Sequence, residues 1–157
     1  MSEPAAKTDA DHSAKRRARL AAVQALYQIA LTQKTPAQVI VNFRDHPPAL
    51  GEDTEEAPPE ADGELFGMIV TGVTENIGAL DEMLAGAMDA KLSAERLEAL
   101  LRAILRAGAF ELHHQAMIPA GIIINDYVDV AHAFYGGKEP GLVNAVLDRL
   151  AKSLRTS

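Results

Sequence analysis

Residues 95–114, ERLEALLRAILRAGAFELHH, constrain the fold of this chain more than any other stretch. Leu97, Leu100, Leu101, Ile104, Leu105, Gly108 and Leu112 recur at three- and four-residue steps, which places them on one face of a helix. Ala99, Ala103, Ala107 and Phe110 extend the apolar surface to the neighbouring flank and leave only a narrow polar strip. A helix that is apolar around most of its circumference is a central one, with partners on several sides. Ser93 offers an N-cap, and Glu95 would sit favourably in the first turn. Gly108 costs about 1 kcal/mol relative to alanine in a helix interior. It is therefore expected to mark a close approach by another helix.

The other segments fit around such a helix. Helix one is expected from near Ser13 or Ala14 to about Gln33, with a stripe of Leu20, Val23, Tyr27, Ala30 and Leu31, behind a disordered tail over residues 1–12. Thr35-Pro36 caps and opens a short helix through Val39, Ile40 and Phe43, which His46-Pro47-Pro48 stops. Residues 47–61, with four prolines among acidic side chains, read as a solvated loop. A long helix over about 62–88 follows, with an apolar face of Leu65, Phe66, Ile69, Val70, Val73, Ile77, Leu80 and Leu84. Its glycines, Gly67, Gly72, Gly78 and Gly86, mark close packing or a bend.

After the core helix, Ile118-Pro119 starts a helix with Ile123, Tyr127, Val130, Ala131 and Phe134 inward. Asn125, Asp126, Asp129 and His132 take its other side, and Gly136-Gly137 ends it. Pro140 opens the last helix, whose stripe is Val143, Val146, Leu147, Leu150, Ala151 and Leu154. Asp148 and Lys152 can pair on its outer face. Strand signals are absent. The expected fold class is all-α, a bundle of six or seven helices in one domain over 13–157.

Composition narrows the function. The chain has no cysteine, which excludes disulfides, thiol catalysis and zinc thiolate sites. No apolar run approaches the roughly 18 residues of a membrane span, and the acidic N-terminus lacks a signal-peptide core. A cytoplasmic location is the default. The net charge of −7 arises in one place: residues 44–64 hold eight acids and one arginine, and 14 basic face 14 acidic groups elsewhere. Residues 1–34 hold six basic and three acidic groups, so overall acidity does not exclude a nucleic-acid partner. Lys15, Arg16, Arg17 and Arg19 would crowd the start of helix one, where positive charge opposes the macrodipole. Such a cluster reads either as a hint of function or, equally, as a solvated basic end.

Catalytic patterns are missing. The five histidines are scattered, and His113 and His114 point about 100° apart on a helix, so no metal site is expected. Gly136-Gly137-Lys138 lacks the preceding strand and the hydroxyl residue of a phosphate-binding loop. Before a helix N-terminus it still offers backbone N–H groups and a charge to an anion, beside the plainer reading as a C-cap and turn. Asp126 and Asp129 share a helix face without a glycine or histidine partner, and read as solvated charges or partner contacts. Neither an enzyme nor a cofactor is expected.

Three segments together resemble the NusB family of transcription antitermination factors. They are Lys15-Arg16-Arg17-Ala18-Arg19-Leu20 through Leu26-Tyr27, Leu101-Arg102-Ala103-Ile104-Leu105-Arg106 through Phe110-Glu111-Leu112, and Ile118-Pro119 through Asn125-Asp126 followed by Leu142-Val143-Asn144-Ala145-Val146-Leu147-Asp148. Order and spacing match from about residue 15 to 152. The resemblance implies two small helical subdomains and a non-enzymatic protein. It implies binding to boxA RNA together with the ribosomal protein NusE, within antitermination complexes on RNA polymerase. By position it assigns RNA contacts to Lys15, Arg16, Arg17, Arg19, Tyr27, Lys138, Leu142 and Asn144, and partner contacts to Glu98, Leu101 and Arg102. This chain departs from the family at Gly141-Leu142, where many members have a basic residue and then Phe. Leu101 stands where many carry an acid, and Asp126 replaces Glu.

Two rivals share the fold class. One is a non-catalytic helical scaffold that forms a homodimer without RNA. The other is an RNA-binding domain like those that precede some rRNA cytosine methyltransferases, and no methyltransferase segment follows Ser157.

Overall fold

A computed structural model describes residues 3–45, 61–88 and 97–155, with side chains from residue 11 onward. Seven helices lie among the described residues: α1 (Glu3–Leu31), α2 (Pro36–Asp45), α3 (Gly63–Glu75), α4 (Ile77–Ala87), α5 (Ala99–His114), α6 (Ala120–Phe134) and α7 (Glu139–Leu154). The acidic loop expected over 47–61 lies outside the described residues except at Ala61, as do Ser93 and Glu95.

The central helix is α5. It contacts α1, α3, α4, α6 and α7. Ala103, Ile104, Leu105, Ala107, Gly108, Ala109, Phe110 and Leu112 are all buried, in one continuous core. Gly108 is the close-approach point: a Cβ there would stand 2.6 Å from Leu147 Cδ1 of α7. Gly72 plays the same part for Phe110, whose ring would lie 2.2 Å from a Cβ, whereas Gly67, Gly78 and Gly86 have open space beside them.

Three expectations shift. Helix α1 starts at Glu3, about three turns before Ser13. Ala5, Ala6 and Ala10 are strong helix formers, and Pro4 falls in the first turn, where its missing N–H costs nothing. The buried face of α1 consists of Ala18, Ala21, Ala22, Val23, Ala25 and Leu26, while Tyr27, Ala30 and Leu31 are exposed. Alanines bring α1 close to its neighbours, so the small residues rather than the large ones mark the inner face. Finally, the long helix over 62–88 is two helices. Asn76, at φ −130° and ψ 26°, ends α3 and begins α4, and its side-chain amide donates to the Gly72 carbonyl at 2.7 Å. The break leaves Ile77 at the surface.

The caps agree with the sequence only in part: α5 begins at Ala99 with Glu98 at its N-cap, past Ser93, and α6 ends at Phe134 with Tyr135 at its C-cap, before Gly136. Thr35 Oγ1 accepts from the Gln38 N–H, and Gln38 Oε1 accepts in return from the Thr35 N–H, a capping box for α2. Asp62 caps α3 by accepting from the Leu65 N–H at 3.0 Å, and donates its own N–H to the Ala14 carbonyl of α1. Asp81 of α4 accepts two hydrogen bonds from Arg106 of α5, at 2.8 and 2.7 Å. Lys152 and Asp148 pair at 3.1 Å on the outside of α7. At the end of α7, Arg155 donates to the carbonyls of Leu112, Gln115 and Ile118, closing the C-terminus of α5.

Gly108→Leu is expected to destabilise the protein by roughly 1–3 kcal/mol through overpacking against Leu147. Paired urea melts of Gly108→Leu and Gly78→Leu test this. Equal midpoints for the two variants would show that the α5–α7 contact is not tight.

Candidate nucleic-acid interface

The basic segment of α1 splits by helical phase into two environments. Arg19 shares its face with Ala22, Val23 and Leu26 and is 1% exposed. All three guanidinium nitrogens are engaged. Nε and Nη2 donate to the two Glu111 oxygens at 2.7 and 2.8 Å, and Nη1 donates to Asp126 Oδ2 at 2.7 Å. Tyr127 also donates to Glu111, at 2.5 Å. Burial by itself would favour loss of the Arg19 charge. The hydrogen bonds and negative charge of Glu111 outweigh it, and the pKa lies above its ordinary value. Burial, reinforced by the Glu111 charge, holds the Tyr127 phenol well above its usual pKa, so it remains a donor.

Two expectations are thereby corrected. Arg19 is a core cation joining α1 to α5 and α6, out of reach of an RNA phosphate. Asp126, expected on the outer side of α6, is 3% exposed. Its charge is tolerated because Arg19 meets it inside. The basic segment also lies well within α1, since that helix begins at Glu3. The macrodipole falls off within the first turn, so it exerts no penalty on Lys15–Arg19.

Lys15 and Arg16 are exposed and Arg17 is half-buried. Arg16 reaches across to α6, where Nη2 meets Asp129 Oδ2 at 2.7 Å and Nε lies 3.8 Å from Asp126 Oδ1. His12 Nε2 lies 3.3 Å from the same Asp126 oxygen. Between α1 and α6 is a cleft of about 330 Å³ lined by Arg16, Arg17, Leu20, Asp129, Val130 and Ala133 among others. Lys138 follows Ala133 by five residues, within about 18 Å of extended chain. It is exposed at the N-cap of α7. Asn144 is exposed, and Leu142 is partly buried against the core. Phe134, expected inside, is 37% exposed at the end of α6.

Tyr27 stands apart from this group. It lies 11 residues beyond Arg16, about 16 Å along α1. Beside it Leu26, Ile29 and Ala30 line a separate groove of about 270 Å³, closed by Val73, Ile77, Ala99 and Arg102 among others. Arg102 donates to the Leu97 carbonyl at 2.8 Å, and exposed Glu98 accepts from the Tyr135 hydroxyl. At the start of α5, then, Glu98 is exposed, whereas Arg102 is half-buried and turned back on the chain. Leu101 is buried: at 6% exposure it packs in the core, which corrects its assignment as a partner contact.

Sequence reasoning gives no role to Glu111, the acceptor for both Arg19 and Tyr127, and no intramolecular partner to Asp129. A signal existed for the first. Glu111 lies in the apolar flank of the core helix, where an acid needs a buried cation.

Arg19→Ala is expected to cost about 3–5 kcal/mol, because it leaves two carboxylates buried without their cation. Arg16→Ala should cost only about 0–1 kcal/mol, since its pair is half exposed. Urea titrations of both variants test the division, and equal losses would refute it. Alkali provides a second test. Tyr127 keeps its proton in the folded state when an unfolded tyrosine, near pH 10, would lose it. Stability from this site is therefore full below about pH 10 and falls as pH rises further. Tyr127→Phe should lessen that alkaline decline relative to wild type, as measured by melting midpoints across the range.

The NusB family model matches residues 16–152. The transcription antitermination protein NusB of Rhodospirillum rubrum is 43% identical, with 88% of this chain and 83% of the relative covered. The NusB of a Bradyrhizobium strain is 41% identical over 95% of this chain and 89% of its own length. Among solved structures, one of the antitermination factors NusB and NusE in complex with double-stranded RNA matches with a TM-score of 0.71. It does so at 23% identity, over 88% of this chain and 96% of the matched one. T. maritima NusB matches with a TM-score of 0.69, also at 23% identity, over 90% of this chain and 92% of its own. With the family model matching residues 16–152 and relatives at 41–43% identity covered over 83–89% of their length, this chain belongs to the NusB family.

Proposed function

We propose that this chain is a non-catalytic transcription antitermination factor that binds boxA-type RNA together with NusE, in complexes on RNA polymerase in the cytoplasm. The observation that carries the reading is the cationic edge of α1, with Lys15 and Arg16 exposed and Arg17 half-buried, together with exposed Lys138 at the N-cap of α7. In this reading these cations meet phosphates of a single strand, and Asn144 lies about one and a half turns further along α7. The names of relatives at 41–43% identity support the antitermination role. A solved relative with this fold was crystallised with NusE and RNA, which supports the choice of partners. No helix among the described residues is long and apolar enough to cross a membrane.

The second surface suits a protein. The groove beside Leu26, Ile29 and Ala30 is mainly apolar, with Tyr27, Leu31 and Ile77 exposed nearby and Arg102 and Arg106 among its lining. In this reading it seats NusE, with Glu98 and Arg102 as polar contacts at its edge. A second copy of the chain on the same face would make a homodimer and a NusE complex mutually exclusive.

Four cations remain candidates for phosphate contact once Arg19 is assigned to the core. If two to four phosphates of a single strand are neutralised, log K should fall with log salt at a slope of roughly −1.4 to −2.8. Replacing Lys15 and Arg16 together by alanine should make it shallower by about 1.4. Titration of labelled boxA RNA at several salt concentrations, with and without NusE, measures this. An unchanged slope would refute the assignment of α1 as the phosphate-binding edge.

A further inference from the structure

The cleft between α1 and α6 has a composition that a phosphate site would not have. Arg16 and Arg17 line it, but so do Asp126 and Asp129, and Leu20, Val130 and Ala133 provide apolar wall. An RNA phosphate drawn to the arginines would also meet two carboxylates. A base meets no such repulsion: its faces are apolar, and amino groups on its edge donate to carboxylates. Asp126 is buried and committed to Arg19 and His12. Asp129 is different. Its side chain is 51% exposed, with Oδ2 held by Arg16 at 2.7 Å. A carboxylate has about four acceptor sites, so one bond from Arg16 leaves capacity for a second donor. The bond also fixes the carboxylate's direction. At about 330 Å³ the cleft is at the lower end of small-ligand sites, of a size for one planar group.

Resting on the RNA-binding reading above, we infer that this cleft takes one unstacked base of the bound strand, with Asp129 accepting a hydrogen bond from its exocyclic amino group. Splayed bases stack on arginine planes and apolar walls and are read along their edges. Asp and Glu read amino-bearing edges such as cytosine N4. The cleft would supply the base contact for which Leu142 provides no aromatic platform. Asp129 is then a specificity-determining residue, and Lys15, Arg16 and Lys138 position the backbone around it.

The test uses the full chain with NusE present and labelled single-stranded boxA RNA. In a panel, each cytosine is replaced by uridine, each guanine by inosine, and each nucleotide in turn by an abasic one. Wild type should show one position where loss of the amino group weakens binding roughly 5- to 100-fold. In Asp129→Ala that penalty should disappear, with penalties at other positions and the salt slope retained. A second variant, Ala133→Trp, fills the cleft. It should weaken binding of intact RNA and bind the strand made abasic at that position as well as wild type does.

Three results would overturn the inference. They are a panel unchanged in Asp129→Ala, a uniform gain in that variant for every RNA, or an equal loss for intact and abasic strands in Ala133→Trp. The uniform gain would mean that Asp129 merely competes with phosphate for Arg16. If wild type binds RNA with the expected salt slope but no position is amino-sensitive, the base site alone fails. If wild type does not bind the RNA at all, the functional reading falls and the base site falls with it.

Discussion

The contact on which this structure depends is the buried guanidinium of Arg19. It joins three helices that are far apart in sequence, donating to Glu111 of α5 and Asp126 of α6 from the middle of α1. One cation between two carboxylates is not neutral. From outside, Arg16 lies 3.8 Å from Asp126 Oδ1, and His12 is within hydrogen-bond distance of the same oxygen. A buried ion cluster of this kind contributes less to net stability than its short distances imply, because desolvation offsets most of the attraction. Its effect is on geometry. An apolar contact between alanine-rich faces could slide or rotate, whereas a guanidinium bonded at every nitrogen fixes both register and rotation.

That rotation determines what α1 presents to solvent. With Arg19 directed inward, Lys15 and Arg16 fall on the outside, and Arg16 crosses to Asp129 at the cleft between α1 and α6. The core cluster and the surface site are therefore continuous: Asp126 is bonded to Arg19 in the interior and lies near Arg16 at the cleft. Loss of the core pair would disturb the interface as well as the fold.

Much of this was readable in the sequence. The core helix, the cap at Thr35, the close approach at Gly108 and the stripe of α7 follow from period and turn chemistry, which are local. What fails is non-local or depends on size. The expected stripe of α1 includes Tyr27 and Leu31, which are exposed, and omits Ala18, Ala21, Ala22 and Ala25, which are buried beside Val23 and Leu26. Arg19 lies on the face of Ala22, Val23 and Leu26 by simple phase, and Asp126 lies beside Ile123, Tyr127 and Val130. Their charge counted for more than their phase. Period alone would have placed both inside, each as the partner the other requires. The resemblance to a family carried the same error, since it transferred Arg19 and Leu101 as surface contacts by position. Burial can be checked only in the fold.

The arrangement also bears on how two ligands cooperate. Helix α1 is 29 residues long, about 43 Å at the rise of an α-helix. It carries the cationic edge near its middle and borders the apolar groove near its C-terminal end. A spine pinned by Arg19 and packed from Ala18 to Leu26 has no hinge between the two surfaces. In the proposed complex, NusE would then strengthen RNA binding without a change of shape in this protein. If NusE itself touches the RNA, holding it in the groove converts its contact into an intramolecular one, with a gain set by effective concentration. A conformational relay would instead need a second packing of α1, and Arg19 disfavours one, because any rotation that frees it exposes two buried carboxylates to the loss of their cation.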